Sequence, residues 1–261
     1  MKVMILCGGM GTRLRELTEV RPKPMVEIGG RPILWHIMKL YAHHGMNEFI
    51  LCLGYKGALI KEYFLNYETM NSDFSVKLGS KSDIVFHDQS HTEAGWTVTL
   101  ADTGERTMTG GRIARAARYL DGSSTFAVTY GDGVTDVDLT TALAYHRQSG
   151  RLATLLGVRP PSRFGELVAG DGRVHAFNEK PQVTGGLING GFFFLEPDFL
   201  RYVTADEECV LEQMPLQRCA ADGQLSVFQH DGYWQCMDTL RDWESLQAQW
   251  ESGHAPWRVW P

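Results

Sequence analysis

The sequence predicts an α/β fold, a central sheet flanked by helices with one β-hairpin protruding from it. Three observations carry this. The apolar pattern switches repeatedly between strand-like and helix-like periods along the chain. A glycine-rich loop, Gly8-Gly9-Met10-Gly11, follows directly on a short apolar run. A second loop, Gly131-Asp132-Gly133, ends another such run near the middle of the chain, and the carboxyl ends of strands are where open α/β sheets bind ligands.

In chain order, Val3 to Cys7 reads as a fully buried first strand. Pro32 opens a helix that carries Ile33, Leu34, Ile37, Met38 and Tyr41 on one face and stops at Gly45. Phe49 to Leu53 is a second strand and Ala58 to Tyr67 a second helix. The stretch from Asn71 to Thr103 breaks the alternation. Its two β-like runs, Ile84 to Phe86 and Trp96 to Leu100, are joined by polar residues and are expected to form the protruding hairpin and an oligomer contact. Phe126 to Tyr130 reads as a central strand, followed by a helix over Leu139 to Gln148. Leu152 to Val158, Val174 to Phe177 and Gly191 to Leu195 are further strands, and Leu240 to Trp250 is a closing helix. No linker rich in Pro, Gly or Ser interrupts the chain, so one domain over residues 1–261 is expected. Four of the seven tryptophans lie between Trp243 and Trp260 and are expected to pack the C-terminal helix and tail onto the core or a neighbouring subunit.

Composition narrows the function classes. A length of 261 residues suits one α/β domain, and 43% hydrophobic with 21% charged residues is ordinary for a globular chain. A net charge of −6 and a pI near 5.8 argue against nucleic acid or an anionic membrane as the main partner. An anionic small substrate then needs a local cluster of cations. The five cysteines are scattered without CxxC or zinc spacing, which reads as reduced thiols in a cytoplasmic protein. The opening run is too short for a signal peptide or a membrane span, and no later run is long enough to cross a bilayer. The nine histidines show no metal or catalytic spacing.

The strongest chemical signal is Leu6-Cys7-Gly8-Gly9-Met10-Gly11-Thr12-Arg13-Leu14. Glycines let the backbone bend and approach a ligand without Cβ hindrance, and successive N–H groups form an anion site. Thr12 and Arg13 add a hydroxyl and a guanidinium. A P-loop needs Gly-Lys-Ser/Thr, yet Arg13 is followed by Leu14. A dinucleotide fingerprint needs a third small residue where Leu14 stands. Ten residues past Arg13, Pro22 and Pro24 flank Lys23 and should hold it on an extended strap, a point charge suited to phosphate. Asp132 offers a hard oxygen ligand between two glycines, while Asp238 alone would read as a helix N-cap. Near Asn178, Lys180 is braced by Pro181, and Glu179 and Asn189 offer hydrogen-bonding side chains, a pattern that by itself reads as a charged turn and a glycine-weakened strand.

Gly8-Gly9-Met10-Gly11-Thr12-Arg13-Leu14 followed by Arg21-Pro22-Lys23-Pro24-Met25 resembles the signature of the sugar nucleotidyltransferases, which make a nucleotide sugar and pyrophosphate. The resemblance runs along essentially the whole chain. It implies a Rossmann-like nucleotidyltransferase fold with a mixed, mostly parallel sheet. It implies nucleotide contacts from Leu6, Gly8, Gly9, Gly11, Thr12, Arg13, Lys23, Thr107, Arg112 and Gly131, with Arg13, Lys23 and Asp132 catalytic. Asp132 and Asp238 would hold Mg²⁺, and Glu179, Lys180, Asn189 and Gly190 the sugar phosphate. Thr103-Gly104, Met108 to Arg112, Arg163-Phe164-Gly165 and Ala255-Pro256-Trp257 resemble the cytidylyl branch. That branch implies CTP and glucose 1-phosphate as substrates, a role in deoxysugar supply for surface polysaccharide such as O-antigen, and a homo-oligomer, a hexamer. Uridylyl or thymidylyl transfer to another sugar 1-phosphate, and a non-catalytic nucleotide-sugar sensor, are the alternatives.

Overall fold

The computed structural model describes residues 1–9, 11–79, 83–87, 91–122, 124–159, 166–170, 173–178 and 186–261. Its centre is a seven-stranded sheet. In chain order the strands are β1 (Lys2–Leu6), β2 (Glu48–Leu53), β3 (Thr97–Asp102), β4 (Phe126–Tyr130), β5 (Ala153–Val158), β6 (Ile188–Leu195) and β7 (Leu225–His230). Their spatial order is β7-β5-β6-β4-β1-β2-β3. β1 runs parallel to β2 and β4, β2 parallel to β3, and β5 parallel to β7, while β6 is antiparallel to both its neighbours. The sheet is therefore mixed and mostly parallel, the Rossmann-like arrangement that the resemblance implied.

The near-continuous apolar runs of β1, β2 and β4 follow from burial on both faces. Val3 and Ile5 face one core with Phe49, Leu51 and Ala127, while Met4 and Leu6 face a second core with Ile50, Phe126 and Val128. The first core is covered by α1 (Ile33–His43), α2 (Gly57–Leu65), α4 (Leu139–Ser149) and α6 (Leu240–Glu251). The second is covered by α3 (Thr109–Ala116) and α5 (Met214–Ala221). The C-terminal tryptophans do what the sequence suggested. Trp257 is buried in the first core, and His36 of α1 lies edge-on to Trp250 and Trp257. Among the described residues no helix is long and apolar enough to cross a membrane.

Two sequence expectations change. Ile84–Phe86 and Trp96 to Leu100 do not pair with each other. Ile84–Phe86 pairs antiparallel with Phe74–Val76 as a separate ribbon. The second run becomes β3, whose Val98 and Leu100 pack on the first core beside β2. Lys23 also does not continue an extended strap. Pro22 is extended, but Met25 N–H donates to the Pro22 carbonyl at 2.8 Å and closes a short 3-10 turn over Lys23–Met25. Val174 to Phe177 lies within the strand Arg173–Asn178, which pairs with Glu166–Gly170 outside the main sheet. β7, α3 and α5 are elements the periodicity did not reveal.

Because β1, β2, β3 and β4 are parallel, the loops after them open on one edge of the sheet. β6 runs the other way, so its beginning, Asn189 to Gly191, reaches that same edge.

Candidate active site

A cavity of about 830 Å³ occupies that edge. Its lining includes Leu6, Gly8, Gly9 and Arg13 from the first loop, Lys23, residues 105–109 after β3, Gly131 and Asp132 after β4, Asn189 and Gly190 from β6, and Cys236 and Asp238. The structure thus gathers most of the sequence-nominated residues around one space. Thr12 begins a short 3-10 turn, Thr12–Leu14, and Gly11 before it takes the left-handed conformation at φ +61°. The Thr12 side chain, Glu179, Lys180 and Arg163-Phe164-Gly165 lie outside what is described.

At one end, α3 sends Arg112 beneath the glycine-rich loop. Its Nη1 donates to the carbonyls of Leu53 (2.9 Å) and Gly104 (2.8 Å) and to Thr103 Oγ1 (2.9 Å). Its Nη2 donates to the carbonyls of Gly8 (3.0 Å) and Glu105 (3.3 Å). One side chain therefore ties together the loops after β1, β2 and β3. This contact is also why position 8 is glycine, since a Cβ there would meet the guanidinium carbon at 2.0 Å. Burial pulls the Arg112 pKa below its usual value. Among the described residues no carboxylate forms an ion pair with it. Thr107 is buried at the neighbouring turn, where its hydroxyl accepts from Arg115 Nη1 at 2.8 Å.

The opposite corner is ionic. Lys23 Nζ lies 2.6 Å from Asp132 Oδ2 and 2.6 Å from Asp238 Oδ1, and Arg13 Nη1 lies 2.9 Å from Asp238 Oδ2. The two aspartates are 106 positions apart in sequence, and a small strand pair brings them together. Gly133–Thr135 pairs antiparallel with Trp234–Cys236, and Met237 N–H donates to the Asp132 carbonyl at 2.9 Å. Asp238 is not the helix cap its sequence position suggested. Thr239 caps α6 in a capping box with Asp242, which leaves the Asp238 carboxylate to the cavity. Burial lowers the Lys23 pKa, but the two carboxylates outweigh it and the net shift is upward. For Asp238, burial raises the pKa and Lys23 more than reverses it, so the carboxyl is held below its usual range.

This corner fits a divalent cation. Two hard oxygens from separate carboxylates converge on a single positive centre, the ammonium of Lys23. Mg²⁺ characteristically takes one or two carboxylates and completes its shell with phosphate and water.

The remaining wall is neutral. Asn189 Nδ2 reaches the Tyr130 hydroxyl at 3.3 Å, and Trp234 Nε1 donates to the Gly190 carbonyl at 2.7 Å. A register shift between β5 and β6 opens at this point and lets Gly190 and Gly191 bulge toward the cavity. Sequence reasoning missed Tyr130, Trp234 and Cys236 as lining residues. Tyr130 and Cys236 stand one and two positions from nominated residues, so proximity to Gly131 and Asp238 was the available signal.

The chain matches the profile of the nucleotidyl transferase family over residues 2–248. It is 49% identical over 260 residues, all of both chains, to glucose-1-phosphate cytidylyltransferase from Salmonella typhimurium strain LT2. It is 32% identical over 250 residues to the mannose-1-phosphate guanylyltransferase catalytic subunit beta of Dictyostelium discoideum, covering 94% of this chain and 63% of that one. Among solved structures, HddC from Yersinia pseudotuberculosis complexed with GMP-PN superposes with a TM-score of 0.66 at 23% identity, over 95% of this chain and 99% of the other.

Proposed function

The chain belongs to the nucleotidyl transferase family, and on that premise we propose that it transfers a cytidylyl group from CTP to α-D-glucose 1-phosphate, giving CDP-glucose and pyrophosphate. The observation that carries the choice of branch is the 49% identity to a glucose-1-phosphate cytidylyltransferase over the full length of both chains. A phosphate oxygen of the sugar 1-phosphate attacks the α-phosphorus of CTP. The bond from that phosphorus to the bridging oxygen breaks, and pyrophosphate leaves with the electron pair. The second pKa of a phosphate monoester is near ~6, so the nucleophile needs no general base. What the protein must supply is relief of repulsion between two anions, and alignment.

The residues divide that work by position in the cavity. The loop containing Gly8, Gly9, Gly11 and Thr12, together with Leu6, Thr107, Arg112 and Gly131, takes the nucleotide. Arg13 and Lys23 meet the phosphates. Asp132 and Asp238 would hold Mg²⁺, which supplies Lewis-acid charge neutralisation when bound. Asn189 and Gly190, with Glu179 and Lys180, take the sugar phosphate. Retention of Lys23, Asp132 and Asp238 in one cluster favours catalysis over a sensor, which has no need of the metal pair.

We further take residues 1–261 as one nucleotidyltransferase domain acting in the cytoplasm as a homo-oligomer, a hexamer. The exposed apolar ribbon of Phe74–Val76 and Ile84–Phe86 supports its use as a subunit contact. The test of function is pyrophosphate release with Mg²⁺ and glucose 1-phosphate, comparing CTP, UTP, dTTP, ATP and GTP. Strong preference for CTP is expected. Release with another nucleotide moves the chain to a different branch, and nucleotide binding without release with any sugar phosphate favours the sensor.

A further inference from the structure

The neutral wall of the cavity holds a hydrogen-bond chain whose direction is set by a residue outside the cavity. Asn189 Nδ2 lies 3.3 Å from the Tyr130 hydroxyl, and that hydroxyl is bonded to Glu212 Oε1. The other Glu212 oxygen, Oε2, accepts from Thr109 Oγ1 at 2.7 Å, and Thr109 Oγ1 accepts from Leu211 N–H at 2.9 Å. At the far end, Asn189 Oδ1 accepts from Gly191 N–H at 2.8 Å.

The donors and acceptors leave one consistent assignment. An ionised carboxylate only accepts, so the single hydroxyl protons of Tyr130 and Thr109 both point at Glu212. Tyr130 then offers Asn189 only lone pairs, and the amide nitrogen must face it. The backbone N–H of Gly191 only donates, so the amide oxygen must face that side. Asn189 is thereby locked in one of its two amide orientations, with one N–H and one lone pair left over. Packing reinforces the lock. Gly191 sits at φ +79°, and a Cβ there would meet Tyr130 Cδ2 at 2.4 Å, so the ring rests directly on the bulge. Burial and then the Glu212 charge push the Tyr130 hydroxyl well above its ordinary value, which keeps its proton on.

We propose that Glu212 is a positioning residue for the sugar end of the site, fixing through the Tyr130 hydroxyl the amide orientation with which Asn189 reads the hydroxyls of the sugar 1-phosphate. This rests on the functional reading above, in which Asn189 meets the sugar. Glu212 is exposed and does not line the cavity, so it reaches Asn189 only through Tyr130, while its other oxygen holds Thr109. With Glu212→Gln the side-chain amide can donate to the Tyr130 oxygen and turn the phenolic proton onto Asn189 Nδ2. Asn189 then loses that bond, or it flips and opposes its NH₂ group to Gly191 N–H.

The experiment is steady-state kinetics of the full-length wild type, Glu212→Gln, Tyr130→Phe and the double variant, with glucose 1-phosphate and its mannose and galactose epimers. Glu212→Gln should raise the KM for glucose 1-phosphate about tenfold, equivalent to about 1.4 kcal/mol, and reduce its preference over the epimers. The KM for CTP should stay within about twofold, because a purely structural defect would move both constants together. In the Tyr130→Phe background the same substitution should add nothing further. The proposal is overturned if Glu212→Gln leaves the sugar KM and epimer preference unchanged, raises both KM values equally, or keeps its full effect without the Tyr130 hydroxyl. A wild type that makes no CDP-glucose overturns the functional reading itself and the proposal with it.

Discussion

Arg112 and Lys23 bring positive charge to opposite ends of one cavity and are held there in opposite ways. Arg112 is bound by neutral acceptors, four backbone carbonyls and one threonine hydroxyl. Lys23 is bound by two carboxylates at 2.6 Å each. Dipoles satisfy the donors of a buried cation without cancelling its charge, so Arg112 stays a fixed positive centre under the glycine-rich loop. Carboxylates do cancel it. With Arg13 on Asp238, two cations and two anions balance in the Lys23 corner. Such a balance suits exchange. On the proposed function, Asp132 and Asp238 would hold the divalent cation, and Lys23 would be free to turn to phosphate. One cation is architecture, and the other keeps a place.

The contrast breaks most visibly at Asp132. Asp132→Asn keeps shape but removes one of the two charges meeting at Lys23, and turnover at saturating substrate should fall by about 10²–10³-fold or more. Circular dichroism should be unchanged. Near-normal turnover would remove Asp132 from the metal corner. Lys23→Met should cost about 10²-fold in kcat/KM and also leave the two carboxylates facing each other with no cation between them. Millimolar Mg²⁺ alone should then raise the Tm of Lys23→Met more than that of the wild type, because the variant lacks the ammonium shared by the two carboxylates and keeps only Arg13 on Asp238. An equal Mg²⁺ shift in both proteins would contradict the exchange.

Arg112 should respond in stability before chemistry. Arg112→Met strips the partner from buried carbonyls that join three loops, a loss of about 3–5 kcal/mol, or a Tm fall of about 10 °C in a chain of this size. Lysine at this position should recover only part, since a single ammonium with three donors cannot serve five acceptors. Differential scanning calorimetry of the two variants decides it, and a Tm within about two degrees of wild type for Arg112→Met would erase the distinction between the two cations.

The parts of this site legible in the sequence are those whose chemistry is local. Gly8-Gly9, Arg13 and Asp132 each follow within a few residues of an apolar strand, so their local setting nominated them, and Lys23 between its prolines read as functional because the glycine-rich motif precedes it. Asp238 was legible only by resemblance. What carries it to Asp132 is a three-residue strand pairing, Gly133–Thr135 on Trp234–Cys236, too short to leave a periodic signal. Period also cannot say which strand a run will join. Trp96 to Leu100 reads as a hairpin arm next to Ile84 to Phe86, yet its apolar face is worth more against β2 and the first core than on an exposed ribbon. β7 escaped for a related reason, as an edge strand whose alternating residues are only half buried. Glu212 left no signal at all, because its role lies in the direction of two hydroxyl protons, which no spacing encodes.

The smallest expected effect is at Cys236, which lies in the ionic corner without belonging to it. Its Sγ sits 3.8 Å from Asp238 Oδ2 and lines the cavity, a position that invites a reactive reading. The electrostatics of the corner oppose that reading. Burial first, then Asp238 and Asp132, push the thiol up to about 12, and the opposing pull of Lys23 is the weakest of the influences on it. Since the thiolate is the nucleophile, only about one molecule in 10⁴ carries it at pH 8. Cys236→Ser should therefore keep kcat within about twofold, and iodoacetamide at pH 8 should leave activity intact over an hour. Rapid inactivation that CTP prevents and that Cys236→Ser abolishes would mean the corner holds a net positive charge able to stabilise a thiolate, and the balance assigned to Lys23, Arg13 and the two aspartates would be wrong.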